Sequence, residues 1–275
     1  MIKIGARGHD YGKSTPQELF RRIRGDGFES LQLAFKKAIQ GVDQFSDITP
    51  DVVKTVKESL KQYGLHTAVL GVYIDPALVH NSAKREADVA EFIASIPIAK
   101  ELGVDCIGTE TTHTSAQPDV TRKEALDTLY RSLWEIMPEA ERQGVTVAIE
   151  PVYYHTVNTP ELAREVLKTV ASPNLKIIFD AVNVLSPEEI PNQDRLWARS
   201  FDCLGENIAA VHMKGAVCGE NGSISGCAFS ESLVHYDVLF HYLRQLPQDF
   251  SVLREEVDPA HGAEDFRFLK SLTEQ

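Results

Sequence analysis

Cysteine is sparse: Cys106, Cys203, Cys218 and Cys227 are scattered, and no two form a Cys-x-x-Cys pair. Free thiols in a reducing cytoplasm fit that usage best, and a cytoplasmic location is expected. No apolar run reaches the ~18 residues that a membrane span needs. No charged segment followed by an apolar one precedes the strand-like start Met1-Ile-Lys-Ile-Gly5, so no signal peptide is expected either. Positive charge is in deficit, with a formal net charge of −12. An acidic surface repels phosphate backbones and counts against nucleic acid as the main partner. No low-complexity linker divides the chain. Its 275 residues, 43% hydrophobic and 25% charged, are enough for a large core in one globular unit.

What the chain does have is alternation. Short apolar runs at residues 2–6, 30–34, 65–72, 104–108, 145–150, 175–180, 208–212 and 250–257 read as eight strands. Helical spacing fills the intervals. Thr15-Pro16, Thr49-Pro50 and Thr159-Pro160 each supply an N-cap and a helix-start proline, while Gly64, Gly103 and Gly144 mark helix ends. Pro97 predicts a kink or break in the helix over 81–102. Residues 215–231, rich in Gly, Ser and Cys, read as a loop, and Trp134 and Trp197 as core packing within helices. Eight β-then-α units in a chain near the ~250 residues typical of such folds give a (β/α)8 TIM barrel, an α/β fold, as one domain over residues 1–275. An open doubly wound sheet is the alternative.

The chemistry gathers at strand ends. Val145-Thr-Val-Ala-Ile-Glu150 is a run fit for burial on both faces, yet it closes on a carboxylate that would be costly to bury alone. Three further runs share the design: the sixth strand ends in Asp180, the seventh in His212, and the eighth passes through Arg254 into Glu255 and Glu256. In a barrel all strand C-termini meet at one face. Any one of these residues alone reads as a rim charge or a helix cap. Four in succession read as ligands of one divalent metal, which would relieve the repulsion among crowded carboxylates. A mostly oxygen set suits Mn²⁺ first, then Mg²⁺ or Co²⁺, with Zn²⁺ an alternative. Glu255 and Glu256 point to opposite faces of a strand, and Glu255 is preferred.

The set Ala148-Ile-Glu150-Pro151, Phe179-Asp-Ala-Val-Asn183, Val211-His-Met-Lys214 and Leu253-Arg-Glu-Glu256 resembles the xylose isomerase-like barrel superfamily of sugar isomerases and epimerases. The resemblance implies that Glu150, Asp180, His212 and Glu255 bind the metal. It further implies that Asn183 contacts substrate and that Lys214 takes the place of a lysine two residues beyond the metal histidine. The chain departs from the pattern twice: Gly215 stands where an aspartate is frequent, and Gln32 where the second strand often ends in glutamate. The reaction expected is isomerisation or epimerisation through an enediolate, with Glu150 and Glu255 moving the proton. The substrate is a small sugar or cyclitol. No Gly-rich loop follows the seventh or eighth strand, which weighs against a phosphosugar. Membrane and nucleic acid are not expected as partners, and a homo-oligomer is compatible with the sequence. An inosose-type dehydratase on the same barrel is the first alternative. An endonuclease IV-like enzyme is the second, disfavoured because Asn183 replaces one of its histidines and residues 215–231 contain none. His155, Glu110 and Arg7 follow strands and are further candidates to line the mouth.

Overall fold

Strands and helices alternate through the computed structural model, which describes residues 1–220, 222–256 and 258–274. The first half runs β1 (Ile2–Arg7), α1 (Pro16–Gly25), β2 (Ser30–Leu33), α2 (Phe35–Ala38), α3 (Pro50–Tyr63), β3 (His66–Gly71), α4 (Ser82–Leu102), β4 (Cys106–Glu110) and α5 (Arg122–Gln143). The second half runs β5 (Val147–Glu150), α6 (Pro160–Val170), β6 (Leu175–Asp180), α7 (Ala181–Val184), α8 (Gln193–Leu204), β7 (Ile208–Met213), β8 (Gly215–Cys218), β9 (Ile224–Cys227), α9 (Tyr236–Leu243), β10 (Phe250–Arg254) and α10 (Gly262–Thr273). Eight strands pair in parallel in the closed order β1-β10-β7-β6-β5-β4-β3-β2. This is the (β/α)8 barrel.

Local chemistry sets the helix boundaries. Thr15, Thr49 and Thr159 each accept a hydrogen bond from the backbone N–H three residues on, ahead of a proline that has no N–H to satisfy. Gly64, Gly103 and Gly144 close α3, α4 and α5 in the left-handed region. The helices bury Phe20, Phe92, Trp197 and Phe240 completely against the barrel.

Within the barrel a second cluster holds Ala68, Val69, Cys106, Ala148, Ile178, Ala210 and Leu253. Side chains alternate along a strand, so the residues two further on face the same way, one layer higher. Those residues include Glu150, Asp180, His212 and Glu255. At the opposite end of the layer β1 and β2 approach so closely that only glycine fits at position 5. A Cβ there would stand 2.5 Å from the Ser30 carbonyl oxygen and 2.7 Å from Leu253 Cδ2. Gly5→Ala is expected to cost about 1–3 kcal/mol, read as a lower urea midpoint with unchanged slope.

Several sequence expectations need correction. Helix α4 runs unbroken through Pro97, which lies on its exposed face while Phe92, Ile96 and Ala99 hold both flanks against the core. Residues 215–231 are not a plain loop but carry the antiparallel hairpin β8–β9. The eighth barrel strand stops at Arg254; Glu256 turns to φ 55°, and Val257, its expected end, lies outside the described residues. Trp197 is fully buried, but Trp134 is 51% exposed. The four cysteines are free thiols, and no helix among the described residues is long and apolar enough to cross a membrane.

Candidate functional site

The four strand ends meet. One ligand atom each of Glu150, Asp180 and His212 lies within 4.8 Å of the others, and all three residues are buried. Glu255 joins them: its Oε1 lies 3.1 Å from His212 Nδ1, as does Glu150 Oε2. Of the two candidate glutamates, Glu255 is the inward one, 4% exposed, whereas Glu256 is exposed. Asp180 Oδ1 accepts from the backbone N–H groups of Val182 and Asn183 at 2.7 and 3.0 Å, which fixes the carboxylate and caps α7.

The donors fit a divalent cation. His212 Nε2 is buried with no hydrogen-bond partner among the described residues, while Asp180 Oδ2 meets Lys214 Nζ and His212 Nδ1 meets the Glu150 and Glu255 carboxylates. Hard carboxylate oxygens with one imidazole are a set that such an ion satisfies.

Without an ion, the cluster's own cations balance its carboxylates. Burial raises the Asp180 carboxyl to about 6, against the pull of Lys214. Burial alone would lower the His212 imidazole, but the Glu255 and Glu150 carboxylates hold it up at about 9. Burial would raise Glu255, yet His212, Lys214 and Arg7 outweigh it and bring its carboxyl well below the usual range. Lys214 Nζ stands among the acids, 3.1 Å from Asp180 Oδ2, 3.1 Å from Glu255 Oε2 and 2.9 Å from Asn183 Oδ1. Lys214→Met should therefore destabilise the metal-free protein by about 3 kcal/mol, measured by denaturant melts in chelator, because it leaves buried carboxylates uncompensated.

The remaining candidates also gather here. Asn183 Nδ2 donates to Glu150 Oε1 at 2.5 Å. Arg7 Nη1 lies 3.2 Å from Glu255 Oε1, and its Nε donates to Asp10. Glu110 pairs in register with Glu150, and its Oε2 lies 3.6 Å from His155 Nε2. Burial, then the charges of Glu150 and Glu255, raise the Glu110 carboxyl to about 7. Burial lowers the His155 imidazole to about 4. Glu110 and His155 line a cleft of about 290 Å³ beside the cluster.

Sequence reasoning missed Tyr73 and Lys37. Tyr73 follows β3 by two residues and lines the same cleft, with Lys37 Nζ 3.3 Å from its ring centroid. A tyrosine beyond an apolar run gives no signal that separates it from core packing.

A family described as xylose isomerase-like TIM barrel has a model that matches residues 20–272. No curated protein matches. Among solved structures, a 3-keto-D-glucoside 4-epimerase from E. coli is similar at 19% identity and TM-score 0.74, covering 98% of this chain and 100% of its own. A D-tagatose 3-epimerase-like protein is similar at 18% identity and TM-score 0.79, with 99% and 97% covered. A xylose isomerase-like TIM barrel protein from Mycobacterium smegmatis, in complex with magnesium, is similar at 16% identity and TM-score 0.75, with 99% and 97% covered. At these identities the likeness is one of fold.

Proposed function

This chain belongs to the xylose isomerase-like TIM barrel family, and on that premise we propose that it is a divalent-metal-dependent sugar isomerase or epimerase. The convergence of buried Glu150, Asp180 and His212 carries the reading. These three and Glu255 would hold the ion, Mn²⁺ first. When bound, the ion supplies Lewis-acid polarisation of a substrate carbonyl.

The chain's own groups do the rest. Glu150 accepts the proton from the carbon beside the carbonyl, giving an enediolate; Asn183 Nδ2, bonded to its Oε1, holds the carboxylate in place. Glu255, ionised between Arg7 and Lys214, is assigned the return of a proton to the same carbon or its neighbour after taking one from solvent, while the proton held on Glu150 leaves to solvent. Lys214 and Asn183 are assigned to substrate oxygens, with Arg7, Glu110 and His155 lining the mouth. One similar structure is a 3-keto-D-glucoside 4-epimerase, whose named substrate carries the carbonyl that such chemistry needs.

A dehydratase acting on an inosose-type ketone is the second reading. Glu110 favours it, since a carboxyl held at about 7 beside the cluster can protonate a departing hydroxyl.

Metal analysis of the purified protein is expected to give about one divalent ion per chain, against about three for an endonuclease IV-like site. With that ion present, a panel of ketoses and inosose-type ketones should include one whose α-hydrogen exchanges with solvent deuterium. Loss of water from the exchanging compound, seen by mass, selects the dehydratase. A protein that binds no ion, or exchanges none of the panel, overturns the proposal.

A further inference from the structure

The mechanism above leaves unused a pair of side chains on the far side of the mouth. Gln32 lies in β2, four strands from β6 in the closed order, and so faces Asp180 across the barrel. Tyr73 follows β3, which stands four strands from β7 and His212. The absence of a side chain at Gly71 makes room for both: a Cβ there would lie 3.0 Å from Gln32 Nε2 and 3.5 Å from Tyr73 Cε2. The Tyr73 ring is clamped, with Lys37 Nζ 3.3 Å from its centroid on one face and His9 edge-on at 6.0 Å.

Hydrogen-bond accounting shows what the pair lacks. Gln32 Nε2 donates to Tyr73 Oη at 3.0 Å, which occupies a lone pair of the phenol and turns its own proton elsewhere. Among the described residues that proton meets no acceptor. Gln32 Oε1, on a residue 3% exposed, also has no partner. Buried polar atoms of this kind are rarely left unpaired. A free O–H donor beside a free carbonyl acceptor is the complement of a hydroxyl group, which both gives and takes.

We propose that Gln32 and Tyr73 form a hydroxyl-binding subsite that holds the end of the substrate remote from the reacting carbons, which makes the substrate a polyol long enough to span the mouth. This rests on the sugar reading of the site and adds to it a substrate class. The glutamine at this position matters. An ionised glutamate cannot donate to Tyr73 Oη and would draw the phenol proton onto itself, leaving no donor for a ligand.

The test reads binding rather than turnover. The purified protein with manganese added is titrated by calorimetry with xylitol and with glycerol. Wild type should bind xylitol more tightly than glycerol. Tyr73→Phe and Gln32→Glu should each weaken xylitol about tenfold, the worth of one hydrogen bond, and leave glycerol unchanged. Melting temperatures of both variants serve as the check on folding. The subsite is overturned if the variants weaken both polyols in parallel, if they change neither, as when water alone satisfies the pair, or if wild type shows no preference for xylitol. Selective loss of xylitol in the variants, with no deuterium exchange in any ketone, sustains the subsite and sinks only the catalytic proposal.

Discussion

Glu150→Gln is expected to abolish turnover, by about 10⁴-fold, with the fold intact. The amide has nearly the shape of the carboxylate, and its oxygen can still accept from Asn183 Nδ2, so the buried hydrogen bond survives. What disappears is a proton acceptor and a negative charge at a position only 4% exposed. In chelator the variant should be modestly less stable than wild type, because His212 loses one of its two anionic partners. Glu255→Gln should act in the same direction, with an added cost, since Arg7 and Lys214 lose their shared anionic partner. Solvent deuterium incorporation into the substrate is the direct assay. Retained exchange in Glu150→Gln removes that residue from proton transfer.

Removal of divalent metal should have the second largest effect, and on two observables together. Activity should vanish in chelator and return on adding Mn²⁺. Stability should move with it. At an ion concentration 100 times the dissociation constant, binding to the folded state alone contributes about 2.7 kcal/mol. For a domain of this size that corresponds to roughly 5–10 °C in melting temperature. His212→Ala should remove both responses, since it deletes the one nitrogen donor of the cluster. A melting temperature indifferent to Mn²⁺ would show that the cluster is a network of ion pairs held by Lys214 and nothing more.

Much of this molecule could be read from residue order because its signals are local. A carboxylate or imidazole at the end of a run such as Val147–Glu150 or Leu175–Asp180 stands out against apolar neighbours, and parallel closure brings such ends together whatever their separation in the chain. Threonine before proline is equally local. The hairpin β8–β9 gave no such signal: Gly215-Ala-Val-Cys218 and Ile224-Ser-Gly-Cys227 lack alternation, and pairing with one another is what makes them strands. Pro97 misled for the opposite reason, as packing of the helix face overrode a local preference. The contact of Arg7 with Glu255 depends on β1 closing against β10, between residues almost a chain length apart, which no local pattern encodes. Tyr73 and Lys37 escaped notice because their contact, a cation over a ring, joins residues far apart in the chain and leaves no local pattern.

The small-residue layer beneath the acids bears on how this scaffold can be retuned. Ala148 and Ala210 form part of a floor whose height is set separately from the reactive groups standing two positions beyond them. Swapping either alanine for valine would add bulk beneath Glu150, Asp180, His212 and Glu255 without changing their strand positions, at an expected cost of about 1–3 kcal/mol for overpacking a fully buried layer. The depth of the floor and the groups above it thus sit at different positions of the same strands, so on the proposed reading the two can be varied by separate substitutions.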